Sequence, residues 1–365
     1  MRFAPPNPLR IADRASGLNA VSVRSYNERL VLSLLLQNSG ISRVEIGERT
    51  GLSAQTVSVI VRSLEQEGLI AKGQAQRGRV GPPTIPISLN PEGAFSIGIS
   101  IGHRTMGVAL VDFVGAVRFY RELPIPAAKP GSNHGEFFGV IEKAIAVLPV
   151  RSRDRIAGIG LALPDDKAEL ALVAKGAPQR YDALQEEIEQ AFNLQVFVQN
   201  DITAAAGGES MFGSAKSHSD YLFVYLGARL HTRLILNHQI YNATRSLSYD
   251  VGLLDLEREI LGGHGGSTAL LWDRSADWPD FGAAGSAWRS RCVEQIKAAV
   301  RALSQFIPVK TVVLSSYAPR NVCVELCELV GEEFPELDAI AGSIEKSPKA
   351  VGAASLPYTS RFMVR

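Results

Sequence analysis

The sequence predicts a mixed α/β chain in two unequal parts, and three observations lead to that expectation. The first ninety of its 365 residues read as short helices carrying a basic surplus. The rest alternates strands with helices, and that alternation runs twice, each time opening on a strand meander. With 46% hydrophobic residues, 365 residues are too many for one compact core. The 33 glycines and 19 prolines follow no period, which excludes fibrous and low-complexity classes. No stretch approaches the roughly 18 apolar residues of a membrane span. The opening MRFAPPNPLRIADRASG lacks the apolar core of a secretory signal, so a cytoplasmic protein without membrane association is expected. Cys292, Cys323 and Cys327 cannot pair off evenly and show no C-x-x-C spacing, so buried thiols are expected rather than a disulfide framework or a cysteine-rich metal site.

Charge is divided unevenly. Residues 1–90 hold 11 Lys/Arg against 6 Asp/Glu, and residues 91–365 hold 27 against 31, so an anionic partner is expected at the amino-terminal end. After a flexible arm over residues 1–20, a domain is expected over 21–90. Its first helix runs from Arg24 to Gln37, with Leu30, Val31, Leu34 and Leu35 at near-helical spacing. Ser42, followed three residues later by Glu45, forms a capping-box pattern that starts a second helix. Gly51 supplies the turn, and Ser53 caps a third helix whose Val57, Ile60, Val61 and Leu64 repeat at i, i+3, i+4 and i+7. That is the plan of a helix-turn-helix. Gly47, inside the second helix, implies a close approach there, since glycine costs about 1 kcal/mol relative to alanine.

With the apolar stripe inward, Ala54, Gln55, Ser58, Val59 and Arg62 form a small, polar and basic outer face suited to base edges in a major groove. Ser42, Arg43, Ser53 and Thr56 stand at or near the starts of the two helices and complete the candidate DNA-contacting set. The segment AQRGRVGPPTIPISL reads as two short strands around a basic loop, with Arg77 and Arg79 at the tip of a wing reaching phosphate or minor groove. The expected partner is double-stranded operator DNA, bound by a symmetric assembly.

From residue 91 onward the strands FSIGISI, TMGVALV and AVRFYREL form a meander. A helix over Phe137–Ala146, the strand IAGIGLAL, a helix around Leu184–Phe192, the strand VFVQ and a helix starting at Asp201 follow. A second set opens with YLFVYL and RLIL, turns at Asn237-His238, and continues through helices, the strand KTVVLSS and a helix from Pro319. Two such halves imply two lobes with a cleft between them.

The segments YNERLVLSLLLQNSGISRVEIGERTGLSAQTVSVIVRSLEQEGLI, GRVGPP, QNDITAAAGGESMFG and KAVGAAS together resemble a repressor of the ROK family, which combines sugar-responsive repressors with sugar kinases. The resemblance implies an actin/ribonuclease H-like, sugar-kinase-like two-lobed domain over residues 91–365, a small-molecule effector of sugar type, and a homodimer or homotetramer. The competing reading is an ATP-dependent sugar kinase with an amino-terminal DNA-binding extension, and a third is a regulator whose sensor has lost its ligand.

Departures from the kinase pattern decide between the first two. The family's Asp-x-Gly-Gly-Thr turn corresponds to Ser100-Ile101-Gly102-His103-Arg104, with one glycine and no carboxylate. Its second phosphate turn corresponds to Leu226–Arg233, where Arg229, His231 and Arg233 replace glycines and fill space a phosphate needs, although arginines can themselves meet an anionic effector. Leu253 stands where a zinc-binding histidine would be and the family's cysteine loop is missing, so no metal, no cofactor and no catalysis are expected. What the resemblance leaves is a ligand site: Asn200 and Asp201 hydrogen-bonding sugar hydroxyls, Asp250 in place of a sugar-touching glutamate, and Tyr181 bordering the pocket. Asp201 is equally expected to cap the helix it begins.

Overall fold

A computed structural model describes residues 20–75, 84–102, 105–124, 135–164, 177–241, 248–262, 268–272, 278–279 and 281–364. The chain divides into two compact units, residues 1–93 with 359–365, and residues 94–358. The last seven residues thus group with the amino-terminal unit, which the division expected at residue 90 does not anticipate.

In the smaller unit, α1 spans Ala20–Gln37, α2 Arg43–Thr50 and α3 Ala54–Gln66, so the first helix starts earlier than its apolar repeat suggests. The strands β1 (Ile70–Lys72) and β2 (Ile87–Leu89) pair antiparallel as the base of the wing. Val31, Leu35, Ile46, Val57, Val61 and Leu64 are buried together as the helical core. Arg29 clamps the carboxyl-terminal segment of the chain to α1: its Nε donates to Met363 O at 2.8 Å and its Nη2 to Ser360 O at 2.9 Å and Thr359 O at 3.1 Å. A guanidinium is suited to these carbonyls because the last turn of a helix leaves them without intrahelical donors.

The larger unit contains two sheets of matching topology. The first holds β3 (Phe95–Ile101), β4 (Thr105–Asp112), β5 (Val117–Pro124), β6 (Ile156–Leu163) and β7 (Val196–Asn200), in the order β5-β4-β3-β6-β7. The second holds β8 (Tyr221–Leu226), β9 (Leu230–Leu236), β10 (Gln239–Tyr241), β12 (Thr311–Ser316) and β13 (Asp338–Ala341), ordered β10-β9-β8-β12-β13, with β11 (Ser248–Tyr249) on β9. In each, an antiparallel meander is extended by two parallel strands. Every residue of β3 and β8 is buried, as a central strand covered on both faces requires, whereas β5 is an edge and alternates with solvent.

Helices fill the remaining layers. Helices α4 (Gly135–Ala146) and α5 (Ala177–Phe192) cover the outer face of the first sheet through Phe137, Ile141, Leu184 and Ile188. In the second lobe, α7 is Leu253–Gly262, and α8 (Gly282–Ser304) and α9 (Arg320–Gly331) cover the outer face with Trp288, Cys292, Ile296 and Leu326. Between the sheets lie α6 (Asp201–Met211), packed on the second, and α10 (Pro348–Arg361), packed on the first. These two helices touch backbone to backbone: a Cβ on Gly352 would stand 2.0 Å from Ala204 O, and one on Gly98 of β3 would stand 1.8 Å from Ala350 O. The small residues of AAAGG and KAVGAAS are therefore a steric requirement of this central layer.

Candidate functional site

The helix-turn-helix is closed by the caps its sequence encodes. Ser42 Oγ accepts from Glu45 N at 3.2 Å while Ser42 N donates to Glu45 Oε2 at 2.7 Å, and this backbone donor holds the Glu45 carboxyl below its ordinary range. Gly51 adopts φ 73° at the end of α2 and donates to Gly47 O. A Cβ on Gly47 would lie 3.2 Å from Leu52 O, so the close approach there is to the turn rather than to the neighbouring helix. Ser53 caps α3, accepting from Thr56 N at 3.1 Å and pairing with Thr56 Oγ1 at 2.9 Å.

Val57, Ile60, Val61 and Leu64 are buried, and Ala54, Gln55, Val59 and Arg62 are exposed with Ser58 at their margin. Arg43 is exposed one helix earlier. Ser42, Ser53 and Thr56 thus serve the caps first. Arg77 and Arg79 lie outside the described residues, as do residues 1–19.

In the larger unit the carboxyl ends of β3, β7, β8 and β12 converge, the place where parallel strands present loops to a ligand. Here Asn200, the last residue of β7, is the cap of α6 instead of Asp201. Its Oδ1 accepts from Ile202 N and Thr203 N, both at 3.0 Å, and from Arg233 Nη2 at 2.8 Å. Arg233 also donates to Thr203 Oγ1 at 3.0 Å and is buried, so its guanidinium locks the start of α6 to β9. Asp201 is 1% exposed and ion-paired with Lys349 of α10, whose side chain is 12% exposed. The Lys349 ammonium also lies 4.9 Å from the centre of the Tyr225 ring.

Lys349 lines a cavity of about 40 Å³ bounded by Ser100 near the end of β3, Gly102 just after it, Gly227 and Ala228 after β8, and Tyr317 after β12. Across it stands Glu122 of β5, which accepts from Tyr120 OH at 2.9 Å, from Thr105 Oγ1, and from Tyr317 OH of the opposite lobe at 2.9 Å. The turn after β8 is satisfied internally. Gly227 N donates to Arg229 O at 3.0 Å, and the carbonyls of Gly227 and Ala228 accept from Leu253 N and Leu254 N at the start of α7. Gly252 seals the other side, where a Cβ would meet Ala228 O at 2.6 Å.

Asp250 does not join Asn200 and Asp201. Its side chain is 78% exposed, pairs with Arg229 at 2.7 Å, and lines a separate, open cavity of about 470 Å³. The carboxylate, one carbon shorter than the glutamate it was matched to, is held outward by an arginine where the resemblance places a glycine. Tyr181 falls on α5, but its side chain lies outside the described residues, as do His103 and Arg104.

Sequence reasoning missed Lys349, Glu122 and Tyr317. Lys349 was visible only as the first letter of KAVGAAS, and Glu122 reads as an ordinary solvated charge in VRFYREL. The three cysteines are buried in the second lobe's core, and among the described residues no group of three or more His, Cys, Asp or Glu is placed to hold a metal. Trp288 is core, donating from Nε1 to Gly252 O at 2.8 Å, whereas Trp272 borders the small cavity. No helix among the described residues is long and apolar enough to cross a membrane.

A winged helix-turn-helix unit followed by two matching α/β lobes with a sugar-kinase-like core defines the class. The chain belongs to the ROK family, whose model matches residues 96–308, and a winged helix-turn-helix DNA-binding model matches residues 24–71. It is similar to the xylose repressor of Bacillus subtilis (strain 168), 28% identical over 240 residues, and spans 62% of that protein's length with 64% of its own. It is also 22% identical over 352 residues to the DNA-binding transcriptional dual regulator NagC of Escherichia coli (strain K12), covering 95% of this chain and 84% of that one. Among solved structures, a ROK family transcriptional regulator described as a homolog of the E. coli MLC protein superposes with TM-score 0.64 at 15% identity, over 93% of this chain and 98% of that one. A ROK family glucokinase from Streptomyces griseus, in complex with glucose and AMPPNP, superposes with TM-score 0.53 at 17% identity over 72% of this chain and 99% of that one. These likenesses bear out the fold expected from the sequence: a winged helix-turn-helix joined to an actin/ribonuclease H-like domain.

Proposed function

We propose that this chain is a sugar-responsive, DNA-binding transcriptional repressor without kinase activity. The carrying observation is α3, a capped helix with a buried apolar stripe and an outer face of Ala54, Gln55, Ser58 and Arg62, small enough to enter a major groove and armed to hydrogen-bond base edges. Similarity to a xylose repressor and to NagC supports the same reading. A two-fold dimer presents two such helices about 34 Å apart, one turn of duplex, so a palindromic operator is expected.

Phosphoryl transfer requires donors aimed at the phosphates and a base ready to take a proton. In this chain the Gly227 amide is spent on Arg229 O, Ser100 stands where the metal-holding carboxylate would be, and Asp201 is neutralised by Lys349. The lobes instead sense a ligand over Asn200 and Asp201. Ligand and operator must then prefer different states of the oligomer for one to control the other.

The test is operator selection from random duplexes with the full chain, followed by binding of the variants. Gln55→Ala and Arg62→Ala relax sequence choice, whereas substitutions of Arg77 and Arg79 weaken all sequences alike and flatten the salt dependence. A chain lacking residues 1–93 that still binds the operator refutes the proposal. Sugar-dependent ATP hydrolysis would restore the kinase reading.

A further inference from the structure

We propose that Val59 determines part of the operator's sequence by reading a methyl group: it packs on the C5 methyl of a thymine in each half-site, between the base contacts of Gln55 and Arg62. The inference rests on the DNA-binding reading above and adds the base, and the group on that base, which one side chain recognises.

Placement carries it first. At about 100° per residue, Gln55, Val59 and Arg62 fall within about 60° of one another around α3, and the buried stripe of Val57, Ile60, Val61 and Leu64 lies on the opposite side. Along the axis about 10 Å separates Gln55 from Arg62, the length of about three base-pair steps, and Val59 stands between them.

Chemistry carries it further. Ser53 and Thr56 are spent on the cap of α3, so the ridge left for a partner presents an amide, a branched apolar group and a guanidinium in that order. Val59, at the centre of this polar ridge, is 50% exposed. A β-branched side chain there lowers helix propensity relative to alanine, so the helix itself gains nothing from it. In a major groove glutamine suits adenine, arginine suits guanine, and an apolar side chain suits the thymine methyl.

The same side chain also rejects. That methyl is the one hydrocarbon group on the major-groove edges, and valine pressed on any other edge strips water from a donor or acceptor and returns no hydrogen bond. Val44 of α2 is exposed as well, but the first helix of this motif crosses the sugar-phosphate backbone, which carries no such methyl. It is therefore a matched control.

The experiment takes the duplex that the full chain selects from random sequence and replaces its thymines one at a time by deoxyuridine, which removes the methyl and keeps every hydrogen-bonding group. Binding is read by fluorescence anisotropy at one fixed salt concentration. The parent is expected to lose about fourfold in affinity at one thymine of each half-site, the ordinary worth of one buried methyl-sized group. Val59→Ala is expected to be indifferent to that replacement, and because alanine favours an exposed helical position, unfolding does not explain the indifference. Val44→Ala keeps the methyl effect, and Gln55→Ala keeps it on a weaker baseline. Cytosine at that thymine weakens the parent further, and 5-methylcytosine, whose methyl occupies the same C5 position, recovers part of the loss.

A parent indifferent to deoxyuridine at every thymine overturns the proposal, as does a methyl effect that survives in Val59→Ala or vanishes in Val44→Ala. So does a change of oligomeric state in Val59→Ala, which would assign the side chain to a subunit contact. In each of these results the parent still selects a sequence and the regulator reading stands. A selection that enriches no sequence sinks that reading, and this inference with it.

Discussion

Replacing Lys349 by methionine removes the ammonium from a buried ion pair while keeping much of the side chain's volume, and leaves Asp201 with its carboxylate 1% exposed. That carboxylate also accepts from the adjacent Ile202 amide, at 2.8 Å. Stranding one member of a buried pair costs about 3–5 kcal/mol, more than the pair itself contributes relative to an apolar replacement. For a unit the size of residues 94–358, about 2 °C of melting temperature accompanies each kcal/mol, so a fall of roughly 6–10 °C is expected. Asp201→Asn should cost less, because Lys349 at 12% exposure retains a path to water. The double variant Asp201→Asn/Lys349→Met should recover most of the loss, giving a coupling of about 2 kcal/mol or more between the two sites. Thermal and urea unfolding of the four proteins, without added sugar, measure the cycle. A Lys349→Met protein within 2 °C of the parent, or a coupling near zero, would show that the pair is not buried as described.

Two further outcomes follow from the packing. Gly352→Ala places a Cβ 2.0 Å from Ala204 O in the central helix layer, an overlap only backbone movement relieves; a loss of more than about 4 kcal/mol is expected, checked as a collapse of the soluble, cooperatively melting fraction. Burial pushes the Cys292 and Cys327 thiols up to about 12, so at pH 8 the native chain should not react with a thiol-specific disulfide, and denaturation should release three reactive groups. The sign of the linkage is fixed by the same burial. Folding favours the neutral thiol, so its contribution is whole below the ordinary cysteine range and is lost as pH rises from about 8.5 toward 12. Rapid labelling of the folded protein at pH 8 would contradict this.

Local signals in the sequence carried the elements well. Ser42, Glu45, Gly51 and Ser53 bracket their helices because capping and turn chemistry act over a few residues, and the uninterrupted apolar runs of β3 and β8 reflect cover on both faces. The site was less legible. Asn200 and Asp201 both satisfy the preference for a short polar cap; backbone geometry hands that task to Asn200, and no spacing rule distinguishes them. Lys349 and Asp201 are 148 residues apart, and Tyr317 and Glu122 are 195 apart, so neither pairing leaves a periodic trace. Asp250 was misplaced because the match considered its own side chain and not the arginine at 229 that draws it out.

The position of α10 also fixes an order of events during synthesis. Tyr358 donates to Val111 O across 247 residues and lies within hydrogen-bonding distance of Ala94 O across 264, and Gly98 waits for the backbone of Ala350. The first sheet is therefore translated long before the helix that covers its inner face exists. At about 5–20 residues per second, its apolar strands stay half covered for about 10 seconds or more on the ribosome. In that interval β3 and β6 present an open surface that chaperones or a second nascent chain can occupy, and only the arrival of residues 348–361 closes it. A chain in which residues 348–361 complete the first sheet is vulnerable to stalled or truncated translation wherever the break falls between the end of that sheet and this helix, and the losses are read as aggregation.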